Sequence, residues 1–146
     1  MKAVIQRVLE AAVRVDGETV AEIGPGILVL LGAAKDDTQA DVIWLADKIA
    51  SLRMFSDSTG KMNLDISEIS GEILVVSQFT LYGDCKKGKR PSYSRAASAD
   101  VAQKLYLSFI SRLSLADITV RHGVFGAMMQ VDLVNDGPVT LIAESP

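Results

Sequence analysis

The sequence predicts a mixed α/β (α+β) domain, with β-sheet layers on one side and two main helices packed against them. Three observations predict it. Runs rich in Val and Ile, bounded by turn signals, fill the first third and return at the end. Two other segments, after Thr38 and after Ser98, repeat apolar residues at helical spacing. The order is strands, helix, strand, helix, strands, so the two kinds of element interleave. The chain has 146 residues, 49% apolar and 23% charged, with no Pro/Gly/Ser linker. Residues 1–146 are therefore expected to form one domain.

Lys2 to Leu9 and Ala12 to Val15 read as strands, the second with Val13 and Val15 around Arg14. Asp16-Gly17 gives a hairpin signal, because glycine accepts the positive φ of a primed turn. Glu18 to Ile23 returns as a strand, and Gly24-Pro25-Gly26 turns again. Ile27 to Leu31 is continuously apolar and reads as a buried central strand. Thr38 with Asp41 three residues on approaches a capping box. Val42, Leu45, Ala46, Ile49 and Leu52 then form one helical stripe. Ser56 to Gly60 ends it with turn chemistry, and Gly60 to Asn63 also reads as a turn. Ile73 to Val76 is another buried-type strand. The second helix runs from about Ala99 to Leu113, with Ser98 as cap and Asp100 suiting the N-terminal dipole. Ile118 to His122 reads as a strand. Met128 to Val134 and Val139 to Ile142 read as a closing pair joined through Asn135-Asp136-Gly137-Pro138.

Composition excludes several classes of function. The formal net charge is −3, so a uniformly basic nucleic-acid-binding surface is ruled out, although a local basic patch is not. One cysteine, Cys85, and one histidine, His122, remove disulfide scaffolds, zinc fingers and His/Cys metal clusters. Nucleophile systems that need a histidine would rest on His122 alone. The opening residues lack a signal-peptide pattern, and the longest apolar stretch, Ile27 to Ala34, is too short to cross a bilayer. The lone cysteine fits a reducing compartment. A soluble, cytoplasmic protein with no membrane partner is expected, and its modest core favours association with a second copy.

Three constellations bear on chemistry. Ser77-Gln78-Phe79-Thr80-Leu81 follows an apolar strand directly, where open α/β sheets place ligand crevices. The ordinary reading is a polar strand end. The sharper one is a catalytic turn offering backbone N–H groups to a developing oxyanion. In Asn135 to Thr140, Gly137 lets another group approach the backbone closely and Pro138 removes a ladder donor. This is either a plain hairpin turn or a rigid Gly-Pro hook facing a ligand. Lys86, Lys87, Lys89 and Arg90 put four cations within five residues of an otherwise acidic chain. Such a run is usually a solvated loop, but it is also what phosphate contacts require, with Tyr93 nearby to stack on a base. Phe125-Gly126-Ala127-Met128-Met129 is either core or a pocket for a flat ring.

Together these segments resemble the D-aminoacyl-tRNA deacylases. Ser77 to Leu81 is similar to that family's SQxTL signature, and Asn135 to Thr140 to its NxGPVT signature with every fixed position present. Arg7-Val8, Ala11 to Val13, Gly60 to Asn63 and Arg90-Pro91-Ser92 also fall where the family has them. The resemblance covers essentially the whole chain. Tyr93 stands where the family often has phenylalanine.

The resemblance implies hydrolysis of the ester linking a D-amino acid to the 3′-terminal ribose of tRNA, with glycine also removed and L-aminoacyl-tRNA spared. It implies translation quality control, a homodimer with sites at the subunit interface, and an aminoacylated tRNA 3′ end as partner. No DNA partner, cofactor or metal site is implied. Ser77, Gln78, Phe79 and Thr80 would form the catalytic turn. Gly137-Pro138 would be a cis hook entering the other subunit's site, its carbonyls meeting the α-amino group and its bulk colliding with an L side chain. Phe125, Gly126, Ala127 and Met129 would hold the adenine, and Arg7 and Asn135 would support the hook. The loop with Lys86, Lys87, Lys89 and Arg90 is a candidate for tRNA phosphates. Thr80 is either a nucleophile or a spectator beside a substrate 2′-hydroxyl that assists water. Competing classes are an RNA-binding module, a small-ester hydrolase using His122 with Ser77 or Thr80, and a dimerisation domain.

Overall fold

The computed structural model describes residues 1–146. Its spine is β1 (Lys2–Val15), a single strand where the sequence suggests two. The Asp16-Gly17 turn, both residues at positive φ, returns the chain as β2 (Glu18–Ile23). After Gly24-Pro25 it continues as β3 (Gly26–Gly32) along the same edge of β1. β2 pairs with residues 11–15 of β1, and β3 with residues 2–8.

The first helix, α1 (Gln39–Ala50), starts at Thr38. The Asp41 carboxylate accepts hydrogen bonds from the Thr38 N–H at 2.8 Å and the Thr38 hydroxyl at 2.9 Å. Val42, Leu45, Ala46 and Ile49 are its buried stripe. Next come β4 (Phe55–Ser56) and β5 (Met62–Leu64), a small hairpin. Met62 and Asn63 thus belong to a strand rather than to the turn expected at 60–63. Asp57 closes that turn by accepting bonds from Thr59 and Lys61.

β6 (Glu72–Ser77) lies parallel to β3, and β7 (Thr119–His122) lies parallel to β6. Between them come a 3₁₀ turn at Phe79–Tyr82 and the helix α2 (Ala99–Ser114). Ser98 stands at the α2 N-cap in extended conformation, but its side chain makes no capping bond.

The chain closes with β8 (Gln130–Glu144), and here the structure corrects the sequence reading. Residues 128–142 are not a hairpin pair. They run as one strand antiparallel to β1, from the Arg14–Gln130 pair to the Lys2–Glu144 pair. Between the Val8–Asn135 and Gln6–Thr140 pairs, residues 136–139 bulge out of the ladder. The Gly-Pro segment is therefore an extrusion clamped by pairing on both sides. A hairpin was the natural expectation because turn residues usually reverse a chain; here β1 supplies a partner on each flank.

Two cores result. Alternation sends Ile27, Val29, Leu31, Ile73 and Val75 to the helical face, against Leu45, Ile49, Phe109 and Leu113. Leu28, Leu74 and Val76 point to the second core, with Val13 and Ile23. β1 serves both. Met1, Ala3 and Ile5 face the helices, whereas Val8, Ala11 and Val13 face the second core. The switch occurs where the pairing with β8 slips by one residue around Leu9, and such a slip exchanges the faces of everything beyond it. Burial of this apolar surface, at about 25 cal/mol per Å², drives the assembly. No helix is long and apolar enough to cross a membrane.

Candidate active site

Because β6 and β7 are parallel neighbours, the segments leaving their C-terminal ends emerge side by side. This brings residues 77–80 and 125–129 to one cavity of about 700 Å³. Ser77, Gln78, Phe79 and Thr80 line one wall, and Phe125, Gly126, Ala127 and Met129 line another. Leu31, Val76 and Val131, from β3, β6 and β8, also line it. Met128 lines it as well, but several small wall residues were missed in the sequence. Ala97, Ala99 and Ala102 come from the start of α2 and the segment before it, with Ala33 from the end of β3. The only signal for them is the density of small residues from Ala96 to Ala99.

The catalytic-type turn is built by β3 and β6. The Gln78 N–H donates to the Leu31 carbonyl at 2.7 Å, so the chain leaves β6 while still attached to β3. It then winds into the 3₁₀ turn, closed by Gly83 N–H donating to the Thr80 carbonyl at 2.9 Å. The first N–H groups of such a turn have no partner inside it. Those of Phe79 and Thr80 lead the turn beside the cavity. The Thr80 hydroxyl accepts a hydrogen bond from the Gln78 amide. No titratable side chain hydrogen-bonds to Thr80 or Ser77.

His122 does not line this cavity. Its Nδ1 lies 2.8 Å from the Gly123 carbonyl and its ring packs edge-on against Tyr106. The Tyr106 hydroxyl donates to the Val75 carbonyl at 3.0 Å, and burial pushes its pKa well above the usual phenol range. Tyr106 is thus a neutral wall residue; its ring also backs Phe125 at 5.6 Å. No three His, Cys, Asp or Glu side chains come together to hold a metal ion.

Gly137 and Pro138 are not part of the cavity formed by their own chain. They sit exposed at the tip of the β8 extrusion, joined by a cis peptide bond. Gly137 has φ +128, and a Cβ there would lie 2.9 Å from Val139 Cγ2 and 3.0 Å from an Arg7 guanidinium nitrogen, so only glycine fits. Arg7 Nε donates to the Asp136 carbonyl at 3.2 Å and lies 3.1 Å from its carboxylate. A second Arg7 nitrogen donates to the Met54 carbonyl at 2.6 Å. The Asn135 amide donates to the Arg7 carbonyl at 2.8 Å and to the Val139 carbonyl at 3.0 Å. Arg7 and Asn135 therefore tie both roots of the extrusion to β1.

Lys86, Lys87, Lys89 and Arg90 lie on an exposed loop outside the cavity wall. Cys85 is exposed beside them.

Comparison with known proteins identifies the family. The family model described as D-Tyr-tRNA(Tyr) deacylase matches residues 4–144. The D-aminoacyl-tRNA deacylase of Thermosipho africanus is 57% identical over 145 residues, covering 99% of this chain and 97% of that one. That of Myxococcus xanthus is 55% identical over 146 residues, covering 100% and 95%. Among solved structures, the c-Myc DNA Unwinding Element Binding Protein superposes with a TM-score of 0.94 at 43% identity, covering 100% and 99% of the two chains. A probable eukaryotic D-amino acid tRNA deacylase shares the fold, with a TM-score of 0.85 at 17% identity over 98% of each chain. With two signature segments placed at one cavity and one clamped extrusion, and with close relatives matching from end to end, the chain belongs to the D-Tyr-tRNA(Tyr) deacylase family.

Proposed function

We propose that this enzyme hydrolyses the ester bond of D-aminoacyl-tRNA, releasing the D-amino acid and tRNA, and that it also clears glycyl-tRNA while rejecting L-aminoacyl-tRNA. The observation that carries this reading is the cavity shared by residues 77–80 and 125–129. A largely apolar wall with Phe125, Gly126, Ala127 and Met129 suits the terminal adenine. It sets the 3′ ester beside the turn at residues 77–80.

The ester carbonyl would point at the Phe79 and Thr80 N–H groups, which stabilise charge as it develops. Thr80 has a Gln78 amide on its hydroxyl and no base, so the attacking group is water. The neighbouring ribose 2′-hydroxyl assists it. An ester is already activated, and holding it in place supplies much of the rate.

Chirality is read by the Gly137-Pro138 hook of a second copy. In support, Gly137 and Pro138 are exposed and line no part of their own chain's cavity. β8 pairs with β1 alone, leaving its outer edge open, and Leu141 and Ile142 remain 39% and 73% exposed near it. Such an apolar edge fits closure by a homodimer. The hook's carbonyls would accept from the α-amino group, and an L side chain would collide with it. Backbone carbonyls ignore side-chain identity, so one site serves many D-amino acids; glycine has no side chain to exclude. The exposed cations at 86–90 would meet tRNA phosphates.

The deciding experiment offers the enzyme D-tyrosyl-tRNA and L-tyrosyl-tRNA. The D ester is expected to be cut and the L ester spared. Equal or absent cleavage of both would overturn the reading.

A further inference from the structure

Tyr93 stands where the catalytic-type turn meets the basic loop. Phe79 is 55% exposed, a ring at the cavity mouth with little of its own chain to fix it. Tyr93 meets it edge to face, with ring centroids 5.1 Å apart and planes at 67°. The Tyr93 hydroxyl makes no hydrogen bond, so the ring carries the contact.

Tyr93 also reaches the other end of the turn. A Cβ on Gly83 would lie 3.0 Å from Tyr93 Cε1 and 3.0 Å from the Thr80 carbonyl oxygen. Glycine at 83 therefore lets the Tyr93 ring close onto the turn. One ring thus touches both the residue that opens the 3₁₀ turn and the residue that ends it.

The same tyrosine follows directly on the base of the loop. Asp84 and Ser92 exchange backbone hydrogen bonds of 2.8 and 3.0 Å, and the Asp84 carboxylate accepts from the Lys86 N–H at 2.9 Å. Between them, residues 85–91 are all exposed, with the four cations at the tip. On the far side, Ala96 N–H donates to the Tyr93 carbonyl at 3.0 Å, and Ala96 bridges Ala34 just beyond β3. The loop is thus a closed arm, and Tyr93 is its point of attachment to the turn.

We propose that Tyr93 is a positioning residue for deacylation, holding Phe79 and with it the peptide groups of residues 78–80, and joining that geometry to the basic arm. The proposal rests on the reading of residues 77–80 as the catalytic turn. Its signature is a split between kinetic constants. Loss of the ring disturbs the oxyanion donors and lowers kcat. Loss of the cations weakens the hold on tRNA and raises KM.

The test measures hydrolysis of D-tyrosyl-tRNA and of 3′-D-tyrosyl-adenosine, which lacks the acceptor stem. Tyr93→Ala is expected to lower kcat about 10-fold or more on both substrates, as misplacement of a reacting geometry does. Tyr93→Phe, which keeps the ring, should restore kcat to within about twofold. Gly83→Ala crowds the Tyr93 ring and the Thr80 carbonyl together and should reproduce the kcat loss, which keeps the test open if Tyr93→Ala folds poorly. Combined replacement of Lys86, Lys87 and Lys89 by Ala should raise KM for the tRNA and flatten its salt dependence. Unchanged kcat in Tyr93→Ala and Gly83→Ala, with wild-type protein active, overturns the positioning role alone. So does a Tyr93→Ala defect confined to KM for the tRNA. Inactive wild-type protein overturns the deacylase reading and the proposal together.

Discussion

The Arg7 guanidinium grips Asp136 twice, by its carbonyl at 3.2 Å and by its carboxylate at 3.1 Å, immediately before the Gly137-Pro138 tip. The same side chain reaches across to the Met54 carbonyl at 2.6 Å. This forked attachment sets the position of the tip relative to β1.

Arg7→Ala should therefore lower kcat/KM for D-aminoacyl-tRNA by about 10- to 100-fold through a displaced hook. Arg7→Lys should not rescue it, because a single ammonium cannot fork between Asp136 and Met54. Steady-state kinetics of both variants check this.

Asn135 donates to two carbonyls, those of Arg7 and Val139. Asn135→Ala should cost about 1–3 kcal/mol by leaving both without a donor. Asn135→Asp keeps the shape but sets a carboxylate against two carbonyl oxygens, so it should be the more damaging change. Urea denaturation midpoints of the two variants give the order.

Gly32 ends β3 directly beneath the catalytic-type turn. A Cβ there would lie 2.9 Å from the Gln78 carbonyl oxygen and 3.3 Å from Leu81 Cβ. Gly32→Ala should leave the sheet intact but lift the turn, lowering kcat by about 10- to 100-fold. Circular dichroism alongside turnover separates the two effects.

Thr80→Ala removes only an acceptor for the Gln78 amide. Turnover should stay within about fivefold of wild type, whereas removal of a true nucleophile costs a thousandfold or more. Single-turnover hydrolysis of D-tyrosyl-tRNA measures it.

Asp41 carries a pH prediction. The Ser145 hydroxyl, donating at 2.7 Å, and then the Thr38 N–H hold its carboxyl down to about 2 from the ordinary 3.8. The ionised form thus favours the folded chain. That stabilisation is complete above pH 3.8 and is lost as pH falls through about 2. Asp41→Asn should lower stability at neutral pH by about 1 kcal/mol or less, given the solvent around the group, and should flatten the acid limb between these values. Thermal melts from pH 2 to 7 check the slope.

Much of this was legible in the sequence, for reasons that differ by segment. Thr38 and Asp41 announce the start of α1 because capping is local chemistry. Ile27 to Leu31 and Ile73 to Val76 declare buried strands because both their faces are covered. Ser77 to Thr80 and Phe125 to Met129 each read as candidates, but nothing local says that they meet; the parallel pairing of β6 and β7 does that. Residues 128–142 misled because Asn-Asp-Gly-Pro reverses most chains, and only β1, more than a hundred residues earlier in sequence, keeps them extended. Ala97, Ala99 and Ala102 were invisible as site residues because a methyl group carries no chemical signal. Tyr93 reads in sequence as a ring that could stack on a base; its contact with Phe79, fourteen residues earlier, has no local signal.

Those alanines have a consequence for how the protein can change over generations. Ala33, Ala97, Ala99 and Ala102 border the cavity with the smallest side chains short of glycine. Nearly every substitution at these four positions adds atoms, and added atoms can only take room from the ligand. The volume of the site is thus stored as what its walls leave out. It is easily lost by a single codon change and hard to widen by one, so drift acts on this pocket in one direction.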